Sequence, residues 1–213
     1  MSTFVTRRAA FGIAATAALA SLTACASDIR PLSDPSTPKE QRSYKGELKF
    51  NSYASRGTYV PATSSKKAEN PPKPIPPAKM RAKTTEGMYA AIGFWVASFN
   101  YLILSGDIEP FMAVDINRND IYKAEAFSKL YKSNTGWMYG ADAPVSANLT
   151  EDAPEQVNEY QYRWRATSRY HKKTTIHYTD GRELPMTSLD GNTGDYDFFF
   201  ALKYQDGAWT VWN

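Results

Sequence analysis

Residues 159–171 read EYQYRWRATSRYH, and the alternation in that run decides the fold class. Tyr160, Tyr162, Trp164, Ala166, Ser168 and Tyr170 fall on one face, while Gln161, Arg163, Arg165, Thr167, Arg169 and His171 fall on the other. A period of two held over this length describes a strand with one face buried and one wet and cationic. Downstream, residues 174–179 and 183–188 flank Asp180-Gly181, and residues 196–204 and 208–212 flank Asp206-Gly207. Asp-Gly between two strand-like runs is a hairpin turn, because both residues tolerate positive φ. In the second hairpin Phe198, Phe200, Leu202 and Tyr204 share a face, with Phe199 and Ala201 opposite.

Upstream the period changes. Met88, Ile92, Trp95/Val96, Phe99 and Leu102/Ile103 recur at helical spacing, which predicts a helix over Thr85–Leu104. Thr84 or Thr85 can cap its start with Glu86 in the first turn, and Gly106 can end it. Asp107 can cap a second, short helix over 108–114 with Pro110 in its first turn, and Asn119 or Asp120 a third over 121–132. Helices followed by an antiparallel meander make an α+β domain over 84–213, its N-terminal helices packed on one curved antiparallel sheet.

The chain before this domain has a different character. Residues 26–83 hold 9 of the 13 prolines and 12 Lys and Arg against 5 Asp and Glu, a balance of +7. Residues 25–58 read as a disordered stalk rich in Pro, Ser and Lys, because that composition buries too little surface to offset chain entropy. Within it, Tyr44, Phe50 and Tyr53 could dock on the domain or on a partner. Residues 59–83 read as an extended lead-in, since the run 70–77, NPPKPIPP, fixes φ at each proline and restricts each predecessor.

The first residues carry an address. Arg7 and Arg8 are followed by an uncharged run, 9–21, too short to cross a bilayer but suited to a signal peptide. Leu22-Thr23-Ala24-Cys25 then resembles the lipobox of bacterial lipoproteins, with cleavage between Ala24 and Cys25 and lipidation of the Cys25 thiol. Two or more acyl chains anchor a protein stably where one is marginal. The expected location is the extracytoplasmic face of the cell membrane, with 1–24 removed. The run 6–11, TRRAAF, also resembles a twin-arginine export signal, so both export routes stay open.

Composition narrows the chemistry. The chain has one cysteine and two histidines, which leaves no intramolecular disulfide and no ordinary zinc ligand set. A net charge of +3 over 213 residues does not point to nucleic acid. No nucleophile elbow, phosphate loop or dinucleotide fingerprint occurs, so no cofactor is expected. Arg163, Arg165 and Arg169 form a basic stripe whose simplest fate is cross-strand pairing with carboxylates.

A sheet ending in FFFALKYQDGAWTVW (198–212) behind leading helices resembles the cone-shaped, nuclear-transport-factor-two-like fold shared by SnoaL-like and ketosteroid-isomerase-like proteins. More closely, the chain resembles an uncharacterised actinobacterial lipoprotein family, a domain of unknown function. The residues that carry this likeness are 59–62 (YVPA), 70–77, 85–87 (TEG), 94–95 (FW), 100–101 (NY), 105–107 (SGD) and 206–209 (DGAW). Many members of that family carry a cysteine pair just after the second helix; Asp115–Ile121 here has none, so any disulfide tying that loop is absent. The resemblance implies a cavity between sheet and helices, for which Tyr101, Asp107, Asp115, Trp164 and His177 are the candidate residues. Asp107 reads more simply as a helix cap and His177 as a strand-surface histidine. The expected function is a non-enzymatic envelope module binding a protein, a wall polymer or a small ligand; the alternative is a SnoaL-like isomerase or hydrolase acting on a small apolar substrate.

Overall fold

A computed structural model describes residues 42–54, 57–189 and 195–212. Cys25, Ala24 and the rest of the leader lie outside the described residues. In chain order the elements are β1 (Gly46–Glu47), β2 (Tyr53–Ala54), β3 (Lys73–Pro74), α1 (Thr85–Ser105), α2 (Glu109–Met112), α3 (Arg118–Lys132), β4 (Gly136–Tyr139) and β5 (Val145–Leu149). There follow β6 (Glu155–Gln156), β7 (Gln161–Tyr170), β8 (Thr175–Tyr178), β9 (Glu183–Pro185), β10 (Tyr196–Gln205) and β11 (Ala208–Trp212). Helices lead and antiparallel strands follow, an α+β domain.

The strands do not form one meander. The main sheet runs β1-β5-β7-β10-β11 with β6 also on β7, while β8 pairs with β4 on one side and β9 on the other in a separate sheet of order β4-β8-β9. The first Asp-Gly hairpin therefore leaves the main sheet, and β7 pairs directly with β10, Trp164 opposite Phe200 and Tyr162 opposite Leu202. None of the sheets closes on itself. β4 and β5 are short strands whose pairing partners lie far along the chain, which local periodicity does not reveal.

β7 follows its alternation: Tyr162, Trp164, Ala166 and Ser168 are buried, and Arg163, Arg165 and Arg169 face out. Its ends are shorter than the run predicts. Tyr160 is exposed in a turn before the strand, where its N–H donates to Asn158 Oδ1, and His171 lies just beyond it. On the wet face Arg163 grips Glu155 and Arg169 grips Asp195, each through two guanidinium nitrogens, and Arg165 lies 5.8 Å from the Phe199 ring centre.

α1 is capped as its sequence indicates. The Thr84 hydroxyl accepts the Gly87 N–H at 3.1 Å, and Gly106, at φ +76, closes the helix by donating to Leu102 O. A Cβ on Gly106 would stand 2.3 Å from Tyr131 Cβ, so both backbone and packing require glycine. α2 is shorter than expected, and Asp107 accepts the Glu109 N–H at its start. α3 begins three residues early, capped by Asn117 rather than Asn119 or Asp120: Asn117 has the extended backbone a cap needs, and its side chain accepts the Asn119 N–H.

α1 is buried nearly all round, where a single apolar stripe was expected; 15 of its 21 residues are inside. One side faces the sheet. Another is covered by residues 44–50. Phe50 meets Phe94 at 6.0 Å between ring centres and lies against Gly93, Tyr44 packs on Tyr89 and Trp164, and Lys49 N–H donates to the Tyr89 hydroxyl. β1 adds a rung to β5, Gly46 opposite Leu149, and Leu48 N–H donates to Ala147 O. Over residues 42–54 the disordered stalk is thus corrected to a docked strap, because three aromatics and a β-edge provide the burial that its composition alone seemed to lack. The proline run is also held: β2 pairs with β3, Tyr53 opposite Pro74.

Candidate functional site

The space between helices and sheets is a cavity of about 630 Å³, a size ordinary for a small-molecule site. α1 contributes Trp95 and Phe99, the α2 segment Phe111, α3 Phe127, and β10 Phe198 and Phe200. Alternation places Phe198 and Phe200 inward and Phe199 out. The second sheet adds Ile176 and Tyr178, which share the inner face of β8 because they are two residues apart. The wall rings pack on one another: Trp95 stacks on Phe99 at 5.8 Å and meets Phe111 at 5.4 Å, and Phe198 stands edge-on to Phe200 at 4.6 Å. Such pairs hold the walls in place beyond their buried area.

Polar groups enter the cavity from two places. α3 presents Asp120, Tyr122 and Lys123, and the ends of β7 and β10 present Tyr170 and Tyr196. The Ser168 hydroxyl also lines it but donates to Ser146 O. The α3 residues recur at helical spacing, continuing through Phe127 to Leu130, so one face of α3 is a cavity wall. That periodicity was available in the sequence; the opposing wall was not.

None of the five candidate residues lines this cavity. The Tyr101 hydroxyl is hydrogen-bonded to Asp107, whose carboxylate also holds the Lys73 ammonium at 3.1 Å. Lys73 reaches Glu109 at 2.7 Å. Although burial acts to raise it, the Asp107 carboxyl lies below its ordinary value, because the Glu109 N–H and the Lys73 ammonium favour the anion. This cluster pins β3 to the junction of α1 and α2. Trp164 is fully buried, its indole N–H donating to Glu151 O at 3.0 Å. His177 faces away from the cavity: its Nδ1 is 3.2 Å from Glu183 Oε1, and its ring lies 4.4 Å from Trp137.

Asp115 stands one layer behind the wall. It is 2 % exposed and accepts hydrogen bonds from the Trp95 indole N–H at 2.5 Å and the Asn117 N–H at 2.7 Å. Burial pushes its carboxyl up to about 6, even though both donors favour the anion; the nearby Asp120 charge raises it further. Its oxygens are committed to the Trp95 indole and the Asn117 backbone, so it orients Trp95 and does not meet a proton donor across the cavity, as an isomerase-like site requires. Among the described residues no three His, Cys, Asp or Glu side chains gather to hold a metal.

No curated protein and no solved structure matches the chain. A family of unknown function, DUF6318, matches residues 57–213, which span the proline lead-in, all three helices and every strand that lines the cavity. The chain belongs to that family, DUF6318.

Proposed function

We propose that this protein is a lipid-anchored envelope module that takes a small apolar ligand into its cavity and performs no chemistry on it. The observation that carries the reading is the 630 Å³ cavity walled mainly by aromatic and aliphatic side chains, while Asp107 and Asp115 commit their carboxylates to hydrogen bonds outside it. Helices against an antiparallel sheet, with an apolar space between them, are the arrangement of the cone-shaped, nuclear-transport-factor-two-like fold, and we read the domain as such a cone. The lipobox at 22–25 supports tethering at the extracytoplasmic face of an actinobacterial membrane.

Each half has its own test. The environment-sensitive dye 1-anilinonaphthalene-8-sulfonate should bind the native chain saturably, and Ala126→Phe, at an exposed cavity-lining position on α3, should abolish the enhancement. Binding that survives Ala126→Phe refutes the cavity reading. Independently, Cys25→Ala should move the protein from the detergent phase to the aqueous phase or leave the precursor uncleaved. A membrane-bound, mature-sized Cys25→Ala band refutes the anchor.

A further inference from the structure

We propose that the cavity's ligand is a single acyl chain ending in an oxygen-rich head group, a long-chain carboxylate or a one-chain phospholipid. The inference rests on the apolar-cavity reading above and names its ligand class.

Size comes first. The α3 wall runs from Asp120 to Leu130, ten helical steps of 1.5 Å or about 15 Å. At the packing density of protein interiors 630 Å³ holds on the order of 20 methylene groups, one ordinary acyl chain.

The same space has buried apolar and exposed polar lining. Phe111, Phe200, Ala147 and Ile176 are buried lining residues without a polar side-chain atom. Tyr122, Lys123 and Ala126 on α3 and Leu189 are lining residues that are also exposed, Tyr122 at 75 %. The cavity therefore reaches water where α3 presents the Tyr122 phenol and the Lys123 ammonium beside the Asp120 carboxylate; Tyr170 and Tyr196 bring hydroxyls from β7 and β10, and the rest of the lining is largely hydrocarbon. A chain with a carboxylate or phosphate at one end satisfies both regions: the tail removes apolar area from water and the oxygens meet donors. The proposed anchor at Cys25 also sets the domain beside a bilayer, a standing source of such molecules.

The test uses the full chain carrying Cys25→Ala, in detergent-free buffer, with 9,10-dibromostearate as a quencher of tryptophan fluorescence. Trp95 alone of the five tryptophans lines the cavity. Quenching should saturate at one equivalent and disappear in Trp95→Phe. Ala126→Phe should weaken binding by about tenfold or more. Stearate and 1-stearoyl-lysophosphatidylcholine are the competitors. Displacement by either supports the proposal, and the better one identifies the head group. Lys123→Ala should weaken stearate about tenfold while leaving octadecanol unchanged. If the anilinonaphthalene dye binds in an Ala126-dependent way but dibromostearate does not quench Trp95, the acyl ligand is wrong and the cavity reading stands. If neither binds, both fall.

Discussion

Asp115 and Trp95 bear the largest single-residue consequences. The Asp115 carboxyl titrates near 6 in the folded protein against 3.8 when free, so folding favours its protonated form. Its contribution to stability is fully present below the unfolded value and is lost as pH rises through the folded one. At about 1.4 kcal/mol per pH unit, the charged form costs on the order of 3 kcal/mol at neutral pH. Asp115→Asn, which keeps one acceptor, should therefore be more stable than the native chain by about 2 kcal/mol at pH 7.5 and equal to it near pH 3.5. Urea titrations of both proteins across that range give the difference curve; a flat one removes this account of the buried carboxyl. Trp95→Ala should cost about 3–5 kcal/mol by opening the space between Phe99, Phe111 and Phe200. Trp95→Phe fills most of that volume but leaves Asp115 without its indole donor, a loss of about 1–3 kcal/mol. Asp115 was legible in the sequence only as one acid among several near the helices; its partner lies 20 positions away, and nothing in local spacing joins the two.

At the scale of elements, α1 needs more cover than β5, β7, β10 and β11 give it, and the strap at 44–50, which carries the edge strand β1, supplies it. Tyr44→Ala and Phe50→Ala should each cost about 1–2 kcal/mol, since both rings are half-buried. A loss under 0.3 kcal/mol for both, about the noise of such measurements, would show that the strap is ornamental. The latch from Lys73 to Asp107 joins β3 to the α1–α2 junction, with side chains 20 % and 33 % exposed. A double-mutant cycle of Lys73→Met and Asp107→Ala should yield a coupling of about 1 kcal/mol, reduced in 1 M salt. Additive losses would mean that Asp107 acts only through the Glu109 N–H. The cap at Thr84, the stop at Gly106 and the alternation of β7 were all readable, because each is set by residues within one or two turns. The start of α3 was missed for a local reason as well: Asn117, Asn119 and Asp120 are all good caps, and only the backbone chooses among them.

For the molecule as a whole, a stalk disordered over 25–58 would be trimmed by proteases up to the lead-in at 59, and the docked strap moves that boundary towards the N-terminus. Arg42, Lys45 and Lys49 offer trypsin three sites within residues 42–49, and β1 and its aromatic contacts hold that stretch on the domain. Limited trypsinolysis should leave a core whose N-terminus lies at or before Lys45; rapid cleavage after Lys49 would return residues 42–54 to the stalk. The sequence by itself determined the class of the domain, the precedence of α1, α2 and α3 over β7 and the two Asp-Gly hairpins, the buried side of β7 and which residues of β10 share a face, because periods of two and 3.6 are written in neighbouring residues. It also determined the expectation of a lipidated Cys25, which is a matter of spacing. Only the tertiary structure decided that the 175–185 hairpin leaves the main sheet, that residues 44–50 cover the second face of α1, and that the cavity is walled by α3 and β10 while Tyr101, Asp107, Trp164 and His177 point elsewhere. Those outcomes depend on contacts between segments tens of residues apart, where burial and strand pairing select one partner from several that the local pattern equally permits.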